Sequence, residues 1–414
     1  MAACNLGVAL EGFDFIAYSA FAAIFARLYF PADSALAATL LTFGGFATAY
    51  LARPLGGLFW GLYADRNGRR AALAWTAILM ALGTGLIAVT PPYTAIGMAA
   101  PALILVARLL QGFAVSGEFA SATAMLVEVA PPGRRALYAS TQMATQVLTA
   151  GLAAGIVLAL TLLLPQSAVE NWGWRLVFAL GTMIGPVGFW MRSRMAESPV
   201  YQALTAAHRT ARAPLREIFG RFPSELLGMA GLIVISSAAL YLILIFLPLY
   251  AVRELGIAPV DTQISTIVAT SAEALVILGC GRLADRVGAL PVLACGAAAY
   301  TLAIWPLFAA LVAAPSFAAL LAVQLAAAVL LGVISAPLPF AMSRLLPPEV
   351  RTTGIGLIYN TVGAVFGGLG PLIVTALVAA TGDKAAPGWW AAATGATGAI
   401  AAFWLWRQHK EEAR

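Results

Sequence analysis

Between Arg286 and Arg344 the chain carries no charged residue over 57 positions. A helix crossing a bilayer takes about 20 residues, so this run holds two crossings, divided near Pro315. A water-soluble domain carries about 25% charged residues, because its surface must be wetted. This chain of 414 residues has 10% charged and 61% hydrophobic residues, too little polarity to cover a globule in water. It therefore belongs among the integral membrane proteins.

Breaks at Pro, Gly and Arg clusters divide the apolar sequence into segments 4–28, 36–63, 70–90, 98–129, 136–163, 173–193, 224–252, 262–284, 290–312, 317–345, 352–380 and 388–406. These predict twelve transmembrane helices. In lipid each backbone N–H and C=O must be satisfied within its own segment, which selects helices; the runs are too long and continuous for barrel strands. The first segment carries Glu11 and Asp14 and precedes no small-residue cleavage site, so it is expected to be a permanent span and not a signal peptide.

Basic residues orient the bundle. The 2–3, 4–5, 6–7, 8–9 and 10–11 connections and the C-terminal tail hold eighteen of the 24 Lys and Arg, whereas the opposite connections hold Arg27, Arg175, Arg253 and Lys384. Both termini are thus expected in the cytoplasm. This asymmetry accounts for the net charge of +6, and no nucleic-acid partner is expected.

Two loops repeat. Gly61-Leu62-Tyr63-Ala64-Asp65-Arg66-Asn67-Gly68-Arg69-Arg70 returns 220 positions later as Gly281-Arg282-Leu283-Ala284-Asp285-Arg286-Val287-Gly288. Pro131-Pro132-Gly133-Arg134-Arg135 returns 216 positions later as Pro347-Pro348-Glu349-Val350-Arg351. The matching offsets predict a parallel duplication of six helices. The expected division is an N-terminal bundle over 1–194, a basic cytoplasmic linker over 195–222 and a C-terminal bundle over 223–414. In the repeated loops Asp65 and Asp285 can accept from N–H groups at a helix N-terminus and pair with nearby Arg, Arg69 among them. Glu128 with Arg134 or Arg135 can form a similar bridge. Together these would latch the halves in one access state, although exposed ion pairs are individually weak.

An ionised side chain in the hydrocarbon costs at least about 2.5–3.5 kcal/mol, so each one inside a span is a functional candidate. Six qualify: Glu11, Asp14, Arg53, Arg108, Glu118 and Glu273. Four acids face two bases, and burial raises a carboxyl pKa, which suits a transferable proton. Glu11, Asp14 and Tyr18 share one face of the first helix by their spacing. Arg108, Gln111, Val115 and Glu118 form a stripe on the fourth, and Gln142 and Gln146 are one turn apart on the fifth. The second half offers Tyr241, Gln324, Tyr359 and Asn360. A bland alternative stands beside each: Arg53 pairing with Asp14 or Glu118 would merely tie two helices together.

At these residues the chain resembles a known family. Arg53-Pro54-Leu55-Gly56-Gly57 with the loop that follows, Arg108-Leu109-Leu110-Gln111-Gly112-Phe113 with Gly117-Glu118, Gly12-Phe13-Asp14-Phe15, Trp172-Gly173-Trp174-Arg175, Glu197-Ser198-Pro199 and Tyr359-Asn360 are similar to the metabolite–proton symporters of the major facilitator superfamily. The stretch Tyr93 to Gly117 most resembles the citrate and tricarballylate branch. The resemblance implies an all-α fold of two six-helix pseudo-repeats that rock around a midplane cavity. It also implies import of a small organic anion, citrate or a related tricarboxylate or dicarboxylate, with protons as coupling ion. Related sugar–proton symporters couple an acid in helix 1 to an Arg in helix 4, which by position are Asp14 and Arg108. Glu118 is a further candidate for proton coupling. Arg53, Gln111, Tyr18, Gln142, Gln146, Tyr359 and Asn360 are substrate-contact candidates beside Arg108. The second loop departs from the pattern, since Ala289-Leu290-Pro291 replaces the basic pair.

The alternative is a symporter of betaine- or proline-type osmolytes; a drug–proton antiporter is disfavoured by two buried Arg. No catalytic constellation is visible, with His208 and His409 both outside the spans and Cys4, Cys280 and Cys295 lacking metal-site spacing. A monomer in the inner membrane, surrounded by lipid and holding no cofactor or metal, is expected.

Overall fold

The computed structural model describes residues 2–30, 35–207 and 214–412; His208, Arg209 and Arg212 lie outside them, as does the side chain of Glu11. Helix α1 runs Ala2–Ala20 and resumes as Ala22–Tyr29. It is followed by α2 (Ala35–Asn67), α3 (Arg69–Val89), α4 (Ala99–Val115 and Glu118–Val129), α5 (Arg135–Leu163) and α6 (Gln166–Ser193). Two short helices, Pro199–Ala206 and Pro214–Arg221, lie in the linker. Then come α7 (Pro223–Glu254), α8 (Pro259–Val287), α9 (Ala289–Ala313), α10 (Phe317–Ser335 and Leu338–Leu345), α11 (Arg351–Thr381) and α12 (Ala386–Glu412). Among the described residues there is no strand, and nine of these helices are long and apolar enough to cross a membrane.

The corresponding helices α4 and α10 both break past their middle, at Ser116-Gly117 and at Ala336-Pro337. The repeated loops are tighter than their composition suggests. Asp65 and Arg66 belong to the last turn of α2, and Arg69 opens α3, so the turn shrinks to Gly68. Gly288 plays the same part between α8 and α9. Both glycines take φ 98° with ψ near 150°, a region that a Cβ makes costly. The duplication thus recurs as one backbone conformation in two places.

Helix α3 packs on α4 and α6, α1 on α5 and α6, and α2 on α4; in the second half α9 packs on α10 and α12, α7 on α12, and α8 on α10. Between these groups the broad contacts are α5 with α8 and α2 with α11. Close approach of α2 and α4 depends on Gly112, where a Cβ would run into the backbone of Ala49. The outward surface is apolar where lipid would lie: Leu51, Leu55, Phe59, Trp75, Leu82, Leu275 and Leu302 are among its exposed side chains. The buried interior includes an aromatic knot of Tyr18, Phe25, Tyr29, Trp174 and Phe178.

Candidate functional site

The spacing of Arg108 and Gln111, three apart on α4, sets both on one face. That face meets Asp14 of α1. Arg108 Nη1 donates to Asp14 Oδ2 at 2.6 Å and to Gln111 Oε1 at 2.7 Å; Gln111 Nε2 donates to Asp14 Oδ1 at 2.6 Å. The three side chains close a ring in which both carboxylate oxygens are engaged. Gln111 also donates to Thr84 Oγ1 of α3 at 2.9 Å, and the Tyr18 ring lies beneath the guanidinium, 4.3 Å from centroid to Cζ. All of these residues are buried, Asp14 at 3% exposure and Arg108 at 0%. Adding a proton to Asp14 would remove the charge attraction that keeps Arg108 in place.

The other candidates divide between this ring and separate sites. Glu118 is not brought to Asp14. It pairs with Arg192 of α6 through both carboxylate oxygens at 2.8 Å and accepts from Thr76 Oγ1, while Arg192 also donates to the carbonyls of Leu73 and Cys4. Arg192, assigned from sequence to the 6–7 connection, is 0% exposed in the last turn of α6. A signal existed, since an intramembrane Glu118 needs a mate and Arg192 follows an unbroken apolar run. Arg53 pairs with neither Asp14 nor Glu118 in the bonds described here; its guanidinium lies over Tyr50 at 4.4 Å, and Tyr50 meets Tyr241 of α7 edge-on at 5.5 Å. Gln142 donates to Thr123 Oγ1 at 2.6 Å, tying α5 to α4. Gln146 lines a cavity of about 20 Å³ with Gly12, Ile16, Tyr241 and Leu244, room for about one water.

Tyr359 stacks flat on Phe119, centroids 3.8 Å apart, and Asn360 donates to the Ser116 carbonyl at 2.8 Å, where α4 breaks. These two residues join α11 to α4 and do not reach the Asp14 ring. Gln324 accepts from Ser265 of α8.

A larger cavity of about 340 Å³ lies at the end of the bundle away from the repeated loops. It is lined by Ile16, Pro248, Leu249, Arg253, Thr262 and Thr266 among others. Neither cavity is lined by Asp14 or Arg108, although Gly12 and Ile16 on either side of Asp14 line the smaller one.

At the loop end the halves are tied at two seams. Asp65 accepts from the backbone N–H of Thr353 at 2.8 Å and from its hydroxyl at 2.7 Å, at the start of α11. Arg69 lies 3.4 Å from Asp65 and 3.7 Å from Glu128, and donates to the Pro348 carbonyl at 3.0 Å. Glu128 takes Arg351 at 3.1 Å and the Ser198 hydroxyl. At the other seam Asp285 accepts from the N–H groups of Ala136 at 2.7 Å and Leu137 at 3.0 Å, the N-terminus of α5. An anion at a helix N-terminus answers both unpaired N–H groups and the dipole. Arg135 is exposed, and the partners of Glu128 are Arg69 and Arg351 instead of Arg134 or Arg135.

The linker adds a clamp that sequence reading did not assign. Glu197 accepts from the Arg70 N–H at 3.2 Å, Tyr201 donates to the Arg66 carbonyl at 2.6 Å, and its ring lies under Arg69 at 5.0 Å.

Comparison with known proteins agrees with this architecture. The family model described as "Sugar (and other) transporter" matches residues 1–225, and that of the "Major Facilitator Superfamily" matches residues 229–414. The citrate-proton symporter of Klebsiella pneumoniae is 34% identical over 96% of this chain and 89% of its own length. That of Salmonella typhi is 36% identical over 92% and 87%, and a putative proline/betaine transporter of Staphylococcus haemolyticus 31% identical over 96% and 85%. Among solved structures, the proton:xylose symporter XylE of the major facilitator superfamily, bound to 6-bromo-6-deoxy-D-glucose, matches with TM-score 0.80 at 17% identity over 98% of this chain and 94% of that one. Such similarity over nearly the whole chain, on an all-helical apolar bundle, makes the protein a multi-pass protein of the inner membrane and a member of the major facilitator superfamily.

Proposed function

We propose that the protein imports citrate or a closely similar tricarboxylate together with protons, by rocking its two halves, residues 1–194 and 223–414, about the linker. The observation that carries this reading is the buried ring of Asp14, Arg108 and Gln111. With Asp14 ionised, the Arg108 fork is engaged by the protein's own carboxylate. A proton arriving on Asp14 dissolves that bond, and a carboxylate of the substrate takes the place of Asp14 at Arg108. Gln111 and Tyr18 hold the guanidinium in position during the exchange. Proton and anion thus bind together or not at all, which is symport. Arg53, whose guanidinium lies over Tyr50, would exchange its present contacts for a second substrate carboxylate when the site opens. Gln146, on the wall of the smaller cavity, is a further contact, while Tyr359 and Asn360 join α11 to α4 and would meet substrate only once that junction opens. Glu118 holds α4 to α6 through Arg192, a structural duty instead of a proton-carrying one, and Gln142 holds α5 to α4. Asp65, Arg69, Glu128, Arg351 and Asp285 close the loop end.

The relatives named citrate-proton symporters support this choice of cargo over an osmolyte. The test is uptake of radiolabelled citrate into proteoliposomes under an inward proton gradient. Asp14→Asn should abolish pH-driven accumulation and spare citrate exchange, and Arg108→Gln should weaken citrate binding. Gradient-independent uptake by the parent protein defeats the coupling, and uptake of betaine or proline without citrate transfers the protein to the osmolyte reading.

A further inference from the structure

Of the six charges that the sequence sets inside the spans, Glu273 alone has no place in the scheme so far among those whose side chains are described. It lies at the middle of α8, 1% exposed, and its Oε2 has no hydrogen-bond partner among the described residues. Asp14 and Glu118 each face an Arg; among the described residues Glu273 pairs with none.

The elements packed against α8 are α5, α9, α10 and the end of α7, and their titratable groups lie elsewhere. Arg135 and Tyr138 are at the end of α5 beside Asp285. Arg344 is in the last turn of α10. Tyr300 of α9 lies against Gly395 of α12, and Cys295 is exposed. Tyr250, Arg253 and Glu254 are at the far end of α7. On α8 itself, Asp261 is in the first turn and Cys280, Arg282, Asp285 and Arg286 are in the last turns. At the level of Glu273 the neighbours are Gly332 of α10, packed on its own carbonyl, and the Thr270–Gly151 contact with α5. An ionised carboxylate in such surroundings is poorly solvated and costly.

Two further features give that acid a use. Thr262, Thr266 and Glu273 stand at i, i+4 and i+11, and eleven residues are close to three turns, so they share a face. Thr262 and Thr266 line the 340 Å³ cavity, so the face that meets far-end water leads down to Glu273. In addition, α8 is one of the four helices that make the broad contacts between the halves. Its packing on α5, with Thr270 at Gly151, Gly281 at Ser140 and Asp285 at the α5 N-terminus, must part when the loop end opens.

We propose that Glu273 is a second proton carrier. It takes a proton from water at the far end along the Thr262–Thr266 face and carries it as the neutral acid. It releases the proton to water at the loop end when α5 and α8 separate and hydrate the carboxylate. The proposal rests on the symport reading for its role in transport, but the protonation of Glu273 itself does not depend on the cargo.

Two measurements test it on the full-length protein. Infrared difference spectra of the purified protein at neutral pH should show a protonated-carboxyl carbonyl band that vanishes in Glu273→Gln, survives shifted in Glu273→Asp, and persists in Asp14→Asn. A band that is absent from the parent or unchanged in Glu273→Gln overturns the proposal. In proteoliposomes, the proton-to-citrate ratio taken from reversal of the flux should be lower by one in Glu273→Gln, with citrate still moved. An unchanged ratio also overturns it. If the parent protein moves no citrate, the cargo reading falls while the infrared result still decides the state of Glu273.

Discussion

Removing Glu118 separates a structural acid from a proton-carrying one. Glu118 is 1% exposed and Arg192 0%, and two bonds of 2.8 Å join them. Breaking one member of such a buried pair leaves the other charge uncompensated, at about 3–5 kcal/mol. Glu118→Leu should therefore lower the ratio of folded to unfolded protein by roughly two to four orders of magnitude, at about 1.4 kcal/mol per decade. Snorkelling of Arg192 from the end of α6 works toward the lower figure. Replacing both partners, Glu118→Leu with Arg192→Met, removes the stranded charge and should recover most of the loss, because buried pairs exchanged for apolar groups are often neutral in stability. Thermal inactivation in detergent at one fixed scan rate reads the stability, and proteoliposome uptake reads the coupling. If Glu118 only ties α4 to α6, the double variant keeps pH-driven uptake. A double variant that is as stable as the parent yet blind to the proton gradient would refute this assignment and return Glu118 to the proton path.

Asp65→Asn should weaken the bonds to Thr353 and shift the protein toward a form open at the loop end. Losing about 1–3 kcal/mol of coupling changes that population 5–150-fold, measurable as faster thiol labelling of a cysteine placed at Thr353's neighbour Gly354. Gly112→Val should disturb assembly, since its side chain meets the Ala49 backbone; a monodisperse variant with parental melting would contradict the packing. Tyr201→Phe removes the bond to the Arg66 carbonyl, and uptake should become leakier without loss of citrate affinity; unchanged leak rates would free the linker from any gating duty.

Local spacing made part of this site legible. Asp14, Tyr18, Arg108 and Gln111 share helix faces by position, and an acid beside an inward-facing Arg needs little more to be paired. The repeated loops marked Asp65 and Asp285 in the same way. Their partners were not legible, because the Thr353 and Ala136 N–H groups become acceptable only when one half is set against the other, and no local pattern encodes that register. Arg192 was hidden by company: next to Arg194, it reads as one more interfacial base, and its burial follows from the way α6 packs on α3. Gln142 and Glu118 look like cavity residues on a helical wheel, yet Thr123 and Arg192 reach them first.

The two seams at the loop end are unequal. One is a web of carboxylates, guanidinium groups and a docked linker around Asp65, Arg69, Glu128 and Arg351; the other is a single aspartate on two N–H groups. We expect the loop end to part obliquely, the α5–α8 edge leading and the α2–α11 edge serving as the pivot, so that cargo leaves through a lopsided mouth. Paired spin labels across each edge would register this as a larger excursion on the α5–α8 side, and equal excursions would show that the weaker seam does not lead.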